Sequence, residues 1–286
     1  MKKNAARLFT VLMVMACMLI LMMALGQTEA HAAFNDRTPA GAITMPANRT
    51  MTIPANKAVK INFGTVYDYN TNYYYFQIRP TKTGTIKFTN DYTHGDSVVL
   101  CNSSKKVISR GYKNYDDFYS AGSSYAYQKV LYYGVKKGVT YYIRVKGAST
   151  DRASYEYPYI GSVMWSNKAS SQSKYGKKKS KAKAIKKKKT VKGLFTAGNK
   201  KGQWYKITNK QKTTKIIFKS PRTNGTIKVK IYYKSLGHWY NSTYSVSRSS
   251  GKNPITGTIS KKVKHTYYLK VFPDGKSSGN YTLMWK

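Results

Sequence analysis

The sequence predicts an all-β protein built from two tandem antiparallel β-sandwiches of jelly-roll type, joined by a flexible lysine-rich linker. The chain of 286 residues contains 27 tyrosines, and Tyr, Val, Ile and Thr favour pleated, half-buried strands. Short apolar runs alternate with polar residues between turn signals, and no stretch sustains a helical period. The second half of the chain also repeats the pattern of the first half, which indicates two domains rather than a solenoid.

The first 32 residues have the layout of a secretory signal peptide. Three basic residues precede an apolar run over residues 8–25, and Ala30-His31-Ala32 forms a small-residue cleavage site. We therefore expect cleavage after Ala32 and a secreted mature protein. An uncleaved anchor is the alternative, because the run has about the 18 residues of a membrane span. A lipoprotein signal at Cys17 is disfavoured because the apolar stretch continues well beyond it.

The first predicted domain covers residues 57–166 and follows a proline-containing lead-in over residues 33–56. Short strands with turns between them account for most of it. The stretch from Gly111 to Gln128 is rich in Tyr and Ser and has weak periodicity, so we predict a long loop there.

A change of composition follows the first domain. Ser, Lys and Ala dominate residues 167–189, with lysine runs at 177–179 and 186–189. Such a stretch buries little apolar surface and its charges repel each other, so we predict an extended, mobile linker.

The second predicted domain, residues 190–286, repeats the first. The best match pairs residues 137–145 with residues 263–271, and both stretches contain the pattern Tyr-Tyr-aliphatic-basic-Val. In a strand, the first Tyr, the aliphatic residue and the Val of this pattern share one face, whereas the second Tyr and the basic residue share the other. Both units end in a Met-Trp pair. The matched ranges are 74–78 with 203–207, 85–88 with 215–218, and 137–145 with 263–271.

The two units also share an order of motifs. An aromatic-rich strand (residues 75–78 and 204–207) precedes a turn and a Gly-Thr-hydrophobic strand, and a Tyr-Tyr-aliphatic-basic-Val strand follows near the end of each unit. This order resembles the bacterial pre-peptidase C-terminal domain, a jelly-roll-like module. The resemblance implies a non-catalytic accessory role in export, adhesion or polymer binding, and it implies no functional residues. The second unit departs from the pattern by having Lys264-His265 in place of the glycine of Gly138-Val139-Thr140.

No catalytic pattern is present in the sequence. There is no Gly-x-Ser-x-Gly elbow and no His-Glu-x-x-His motif. His94 lies in a polar loop and has no suitably spaced partner His, so we interpret it as a turn residue rather than a base. Residues 167–286 contain a single carboxylate, Asp274, which excludes hydrolysis by paired carboxylates there. The sequence thus predicts no enzyme and no cofactor.

Metal and disulfide sites are equally unsupported. Asp91, Asp96, Asp116 and Asp117 are an alternative Ca²⁺ cluster, but adjacent loop aspartates are usually solvated, so we predict no metal site. Cys101 is the only cysteine after the signal segment, so no intramolecular disulfide forms. Its apolar surroundings predict a buried, unreactive thiol.

Positive charge is the strongest pointer to a partner. The chain has a net charge of +41, of which residues 167–286 carry +30 and residues 34–166 carry +9. For an exported protein, a positive charge of this size predicts a polyanionic binding partner. The candidates are teichoic acid, an anionic lipid surface and extracellular DNA. The candidate contacts are Lys177, Lys178, Lys179, Lys186, Lys187, Lys188, Lys189, Lys228, Lys230, Lys261, Lys262, Lys264 and Lys270.

Aromatic side chains suggest a competing binding mode, in which rings stack on sugars or bases. The candidates are Tyr112, Tyr115, Tyr119, Tyr125, Trp239 and Tyr240. The sequence therefore leaves three binding classes open. They are electrostatic retention on the cell envelope, which we favour, carbohydrate binding or adhesion, and nucleic-acid binding in an extracellular matrix.

Overall fold

The computed structural model describes residues 43–45, 48–62, 73–90, 98–109, 129–146, 160–209, 213–235, 238–247, 255–260 and 265–286. Strands dominate these residues, and the helical structure among them is one 3-10 turn, Lys179–Lys181. The predicted all-β class is confirmed. No helix in this part of the chain has the length and apolar character needed to cross a bilayer. The predicted signal peptide and the predicted loop 111–128 lie outside the described residues.

The first half of the described chain forms a sandwich of two five-stranded sheets. Sheet I has the order β1-β3-β10-β5-β8, and sheet II has the order β2-β4-β9-β6-β7. The strands are β1 (Ile43–Thr44), β2 (Thr50–Thr52), β3 (Val59–Asn62), β4 (Tyr73–Ile78), β5 (Gly84–Asn90), β6 (Val99–Cys101), β7 (Val107–Ser109), β8 (Lys129–Val135), β9 (Tyr141–Lys146) and β10 (Ile160–Ala169).

The second half forms another sandwich. Sheet III has the order β11-β13-β19-β16-β17, and sheet IV has the order β12-β20-β14-β18 with β15 paired to β20. The strands are β11 (Lys183–Ala184), β12 (Val191–Phe195), β13 (Gln203–Asn209), β14 (Thr213–Lys219), β15 (Thr223–Asn224), β16 (Thr226–Ser235), β17 (His238–Ser247), β18 (Ile255–Ser260), β19 (His265–Pro273) and β20 (Ser278–Trp285).

The two sandwiches have corresponding pairings. In sheet II, β2 runs parallel to β4, which is antiparallel to β9. In sheet III, β11 runs parallel to β13, which is antiparallel to β19. Phe76 pairs with Ile143 in the first sandwich, and Tyr205 pairs with Leu269 in the second. These pairs agree with the sequence matches at residues 74–78 and 137–145.

Each sandwich has its own apolar core. Phe76, Phe88 and Ile143 are fully buried in the first core, and Tyr205 and Leu269 are fully buried in the second. In β4, β13 and β19 the residues alternate between core and outer face, as the period of two requires.

One sequence match needs correction. The match of residues 85–88 with 215–218 equates Phe88 with Phe218, but Trp165 lies opposite Phe88 and Trp285 lies opposite Ile216. Phe88 therefore corresponds to Ile216, and the match is wrong by two residues. A shift of two leaves every side chain on the same face of a strand, so alternation alone does not detect it.

The predicted mobile linker, residues 167–189, also needs correction. Its first residues, 167–169, continue β10 and pair with β5, and Lys183 and Ala184 form β11. Ile185 is only 4% exposed and belongs to the second core. The surrounding lysines conceal this strand in the sequence, because only Ala182 and Ile185 are buried beside it while the lysines remain solvated.

The sandwiches meet along a polar seam beside β8. The amide of Ala197 donates to the carbonyl of Gly134 at 2.8 Å, and the amide of Gly134 donates to Ser278 Oγ at 3.3 Å. Ser109 Oγ donates to the carbonyl of Lys276 at 3.1 Å. Ser109 and Ser278 are both fully buried, so the seam satisfies polar groups that water does not reach.

Candidate functional site

The outer face of sheet III carries lysines and aromatic rings together. On β16, Ile227, Val229 and Ile231 are buried, whereas Lys228 and Lys230 are partly exposed. This strand therefore has an apolar face and a basic face. On β19 the alternation places Tyr268, Lys270 and Phe272 on the same outer face, since Tyr267, Leu269 and Val271 are buried.

Strand register sets the lysines beside the rings in cross-strand rows. One row runs from Trp204 to Lys270 and on to Lys230. The next runs from Lys206 to Tyr268 and on to Tyr232. Neighbouring strands lie about 4.8 Å apart, so the rows give a continuous surface, and along each of the three strands a charged side chain neighbours an aromatic one.

The aromatic rings of this face form two pairs. The ring centroids of Trp204 and Tyr232 lie 5.4 Å apart, and those of Trp239 and Tyr268 lie 5.9 Å apart with an edge-on geometry. Contacts of this kind fix ring orientation. Trp239 is 47% exposed, so one ring of the face is open to a ligand.

Lysine ammonium groups lie over these rings. Lys179 Nζ is 3.6 Å from the centroid of the Trp239 ring and 5.9 Å from that of Tyr268. Lys270 Nζ lies 5.7 Å from the Trp204 centroid, and Lys230 Nζ lies 5.4 Å from the Tyr232 centroid. Cation–π contacts position a charge without neutralising it. We call Lys179, Lys230 and Lys270, together with Trp204, Tyr232, Trp239 and Tyr268, the lysine–aromatic face.

Carboxylates are nearly absent from these surroundings. Asp274 is the only acidic side chain among the described residues, and it forms an ion pair with Lys228 at 3.0 Å. No ion pair neutralises Lys179, Lys230 or Lys270 within the described part of the chain. The face therefore retains its positive charge for a ligand.

The structure brings only some of the predicted lysines to this face. Lys179, Lys230 and Lys270 belong to it, and Lys228 lies beside it in its ion pair. Lys177, Lys178, Lys186, Lys187, Lys188 and Lys189 are exposed on the segments that lead into and out of β11. Lys261, Lys262 and Lys264 lie outside the described residues.

The predicted aromatic contacts divide in a similar way. Trp239 belongs to the lysine–aromatic face. Tyr240 is 43% exposed, but its ring stacks on Tyr233 at 5.4 Å, and alternation along β17 directs it to the opposite side of sheet III from Trp239. Tyr112, Tyr115, Tyr119 and Tyr125 lie outside the described residues.

Sequence reasoning missed Trp204, Tyr232 and Tyr268 as site residues. The signal was available, because the matched strand already placed the second Tyr and a basic residue on one face. What the sequence lacked was the order of strands, which makes β13, β19 and β16 neighbours and so brings the three rings together.

Other predicted chemistry falls partly outside the described residues. His94 and the aspartates of the alternative Ca²⁺ cluster lie there, and the described ranges contain no group of three or more metal-ligating side chains. Cys101 is buried, as predicted. Burial raises the pKa of its thiol, although the positive charges of Arg144 and Lys276 oppose that shift, so the thiolate is disfavoured.

Comparison with known proteins finds likenesses in structure only. No family model matches the sequence, and no curated protein matches it. The pre-peptidase C-terminal domain of a collagenase from Bacillus anthracis is similar at 19% identity, over 36% of this chain and 93% of that one, with a TM-score of 0.30.

Two longer matches are weaker in sequence. A protein described as secreted, from Eubacterium rectale, matches at 10% identity over 80% of this chain and 73% of that one, with a TM-score of 0.25. Tandem CBM51 modules of a family 98 glycoside hydrolase from Streptococcus pneumoniae match at 11% identity over 80% and 84%, with a TM-score of 0.22. These likenesses do not assign the chain to a family.

Proposed function

We propose that this is a secreted, non-catalytic binding protein that is retained on anionic polymers of the cell envelope by the lysine–aromatic face of its second sandwich. The observation that carries the proposal is the set of three lysines fixed over aromatic rings with no carboxylate to neutralise them. The non-catalytic part rests on the sequence, in which residues 167–286 contain one carboxylate.

The physical basis is the release of counterions. A polyanion holds condensed cations, and each protein cation that replaces one of them frees it into solution. Ammonium groups that are already positioned over rings lose less side-chain entropy on binding than lysines that are free to rotate. The lysine–aromatic face should therefore contribute more than an equal number of ordinary surface lysines.

The lysines flanking β11 extend this positive surface. Gly176 exchanges two backbone hydrogen bonds of 2.9 Å with Trp204, and Lys183 pairs with Tyr205. The lysine-rich segment thus follows the β13 edge of sheet III instead of trailing free between the sandwiches. Its exposed charges strengthen the long-range attraction that brings a polyanion to the face.

Co-sedimentation of the mature protein with purified bacterial cell walls tests the proposal. The walls are used before and after extraction of teichoic acid, across a salt series. We expect binding that requires the teichoic acid and fades with salt. Binding that survives both extraction and high salt would contradict electrostatic retention.

A matched pair of variants separates the face from total charge. The triple variant K179Q/K230Q/K270Q removes three charges from the lysine–aromatic face. The control K192Q/K215Q/K219Q removes three charges from exposed residues on the outer face of sheet IV, where no lysine–ring contact is found among the described residues. We expect the first variant to lose wall binding and a larger part of the salt slope than the control. Equal losses would mean that charge number alone matters.

Carbohydrate binding is the second candidate, and the exposure of Trp239 favours it. A half-exposed indole beside Tyr268 offers a platform for a sugar ring. In this case W239A should abolish binding that persists at high salt, whereas Y240A, on the opposite side of the sheet, should not.

Competition with double-stranded DNA tests the nucleic-acid alternative, since displacement of the protein from walls by DNA at equal phosphate concentration would favour it.

A further inference from the structure

The first sandwich has a counterpart to the lysine–aromatic face on sheet II. Register equates Tyr75 with Trp204, because their neighbours Phe76 and Tyr205 pair with Ile143 and Leu269. By the same register Tyr142 corresponds to Tyr268, and Arg144 corresponds to Lys270. An aromatic ring, a tyrosine and a cation thus occupy the same three outer positions in both sandwiches.

The cations of this counterpart also lie over rings. Lys105 Nζ is 4.5 Å from the Tyr75 centroid and 5.7 Å from the Tyr142 centroid. The Tyr75 and Tyr142 rings meet edge-on at 6.5 Å. The guanidinium carbon of Arg144 lies 4.3 Å from the Tyr73 centroid. Five side chains of sheet II and the β6–β7 turn therefore form one compact group.

A structured turn holds Lys105 in place. Asn102 Oδ1 accepts hydrogen bonds from the amides of Ser104 and Lys106 at 3.1 and 2.9 Å, and the Lys105 amide donates to the Asn102 carbonyl at 2.9 Å. Lys105 has a φ of 56°, a left-handed conformation that is costly for a residue with a side chain. The hydrogen bonds of the turn hold Lys105 in this conformation.

Arg144 has an unmet donor. Its Nε is buried and has no hydrogen-bond partner within the described residues. A buried donor without an acceptor is unfavourable. Arg144 as a whole is only partly buried, so the rest of its guanidinium edge can meet a ligand. That edge matches two oxygens of a carboxylate or phosphate.

We propose that this group is a second binding site, in which Arg144 takes a single carboxylate or phosphate oxyanion while Lys105 and the Tyr75–Tyr142 pair contact the unit that bears it. Insofar as the oxyanion belongs to the polymer held by the second sandwich, the inference rests on the proposed function. Two sites on one chain would then hold one polymer at two points, which raises the overall affinity through effective concentration.

Calorimetric titration with short oligomers tests the second site, because an oligomer too short to bridge the sites counts them. The probes are a galacturonate oligomer, which has carboxylates on sugar rings, a glycerol phosphate oligomer, which has phosphates without rings, and a neutral dextran oligomer. We expect two oligomers of at least one anionic probe per chain and none of the dextran. The anionic probe that binds identifies the oxyanion.

Variants then assign each binding event. K105Q/R144Q should lower the stoichiometry to one, and the remaining event should disappear when K179Q/K230Q/K270Q is added. The charge-matched control K60Q/K87Q, on the outer face of sheet I, should leave two events. R144K retains the charge but not the planar edge, and we expect it to weaken the first-sandwich event about tenfold or more. Far-ultraviolet circular dichroism of each variant checks that the sandwich remains folded.

The outcomes separate the two proposals. A single event that only the second-sandwich variant removes would overturn the second site and leave the proposed function standing. A single event that only K105Q/R144Q removes would support the site on the first sandwich and contradict the proposed function. Binding that no variant changes, or no binding of either anionic probe, would contradict both.

Discussion

Trp165 and Trp285 make the same buried hydrogen bond in the two sandwiches. The Trp165 indole Nε1 donates to the carbonyl of Ile53 at 2.9 Å, and the Trp285 indole Nε1 donates to the carbonyl of Ile185 at 2.8 Å. Three residues beyond each isoleucine, the amides of Asn56 and Lys188 donate to the carbonyls of the respective tryptophans. Both of these residues have a φ of about 60°, so residues 53–56 and 185–188 have equivalent structures in the two sandwiches.

The equivalence predicts that Ile185 is a core residue of the second sandwich. I185A should lower the free energy of unfolding by about 2–5 kcal/mol, because it leaves a cavity among buried side chains. Urea unfolding followed by tryptophan fluorescence measures the change. K187A, two residues away and exposed, is the control and should stay within about 0.5 kcal/mol of the wild type. Equal stability of the two variants would restore the linker interpretation.

Removal of the indole donor should also destabilise the second sandwich. W285F keeps an aromatic ring but leaves the buried carbonyl of Ile185 without its hydrogen bond, at an expected cost of about 1–3 kcal/mol. Thermal unfolding by circular dichroism provides the measurement. The exposed Trp239 offers the control, since W239F removes an indole that has no such buried partner. If W285F lowers the unfolding midpoint less than W239F does, the hydrogen bond of Trp285 contributes nothing to stability.

The seam between the sandwiches depends on Gly134. A Cβ at this position would clash with the carbonyl oxygen of Phe195, and that atom belongs to backbone, which has little room to yield. G134A should therefore separate β8 from β12 and weaken the bonds to Ala197 and Ser278, at a cost of about 1–3 kcal/mol. Scanning calorimetry should show a lower midpoint. K136A, just beyond the same strand and exposed, should leave the midpoint unchanged.

Alkaline pH should unfold the second sandwich through its buried tyrosines. Tyr281 donates to Gln203 Oε1 at 2.6 Å, and its hydroxyl lies 2.9 Å from that of Tyr205. Burial raises the pKa of Tyr205 to about 12 and holds the pKa of Tyr281 well above 10. Because an unfolded tyrosine ionises near pH 10, the stabilising contribution is complete below about pH 10 and is lost as pH rises toward 12.

Tyrosinate absorbance and denaturant unfolding at stepped pH check this expectation. Y281F should make the alkaline loss of stability shallower, because one raised pKa is removed, while lowering stability at neutral pH by leaving Gln203 Oε1 without its donor. Y240F, at an exposed position, should change neither. A flat stability profile between pH 10 and 12 in the wild type would exclude the mechanism.

The sequence was sufficient wherever alternation decides the outcome. The faces of β16 and of the Tyr-Tyr strands follow from residue type at a period of two, so Lys230, Lys270 and Arg144 could be placed on outer surfaces without coordinates. The register between corresponding strands could not be predicted from the sequence. A shift of two residues, such as matching Phe88 with Phe218, leaves every side chain on the same face of its strand. The lysine–aromatic face was also beyond it, since Trp204, Tyr232 and Lys179 come from distant segments that only the strand order unites.

One difference between the cores has a consequence for how the chain folds. In the first sandwich Ile61 lies opposite Gly161, whereas in the second Gly193 lies opposite Tyr281, whose ring occupies the space where a Cβ of Gly193 would be. The larger residue of the pair thus lies on β3 in the first sandwich, but on β20, the counterpart of β10, in the second. If β10 and β20 exchanged places, the large side chains of Tyr281 and Ile61 would lie opposite each other, and Gly161 would lie opposite Gly193. Tandem repeats are prone to such misassembly, and here the exchange is unfavourable in both sandwiches at once.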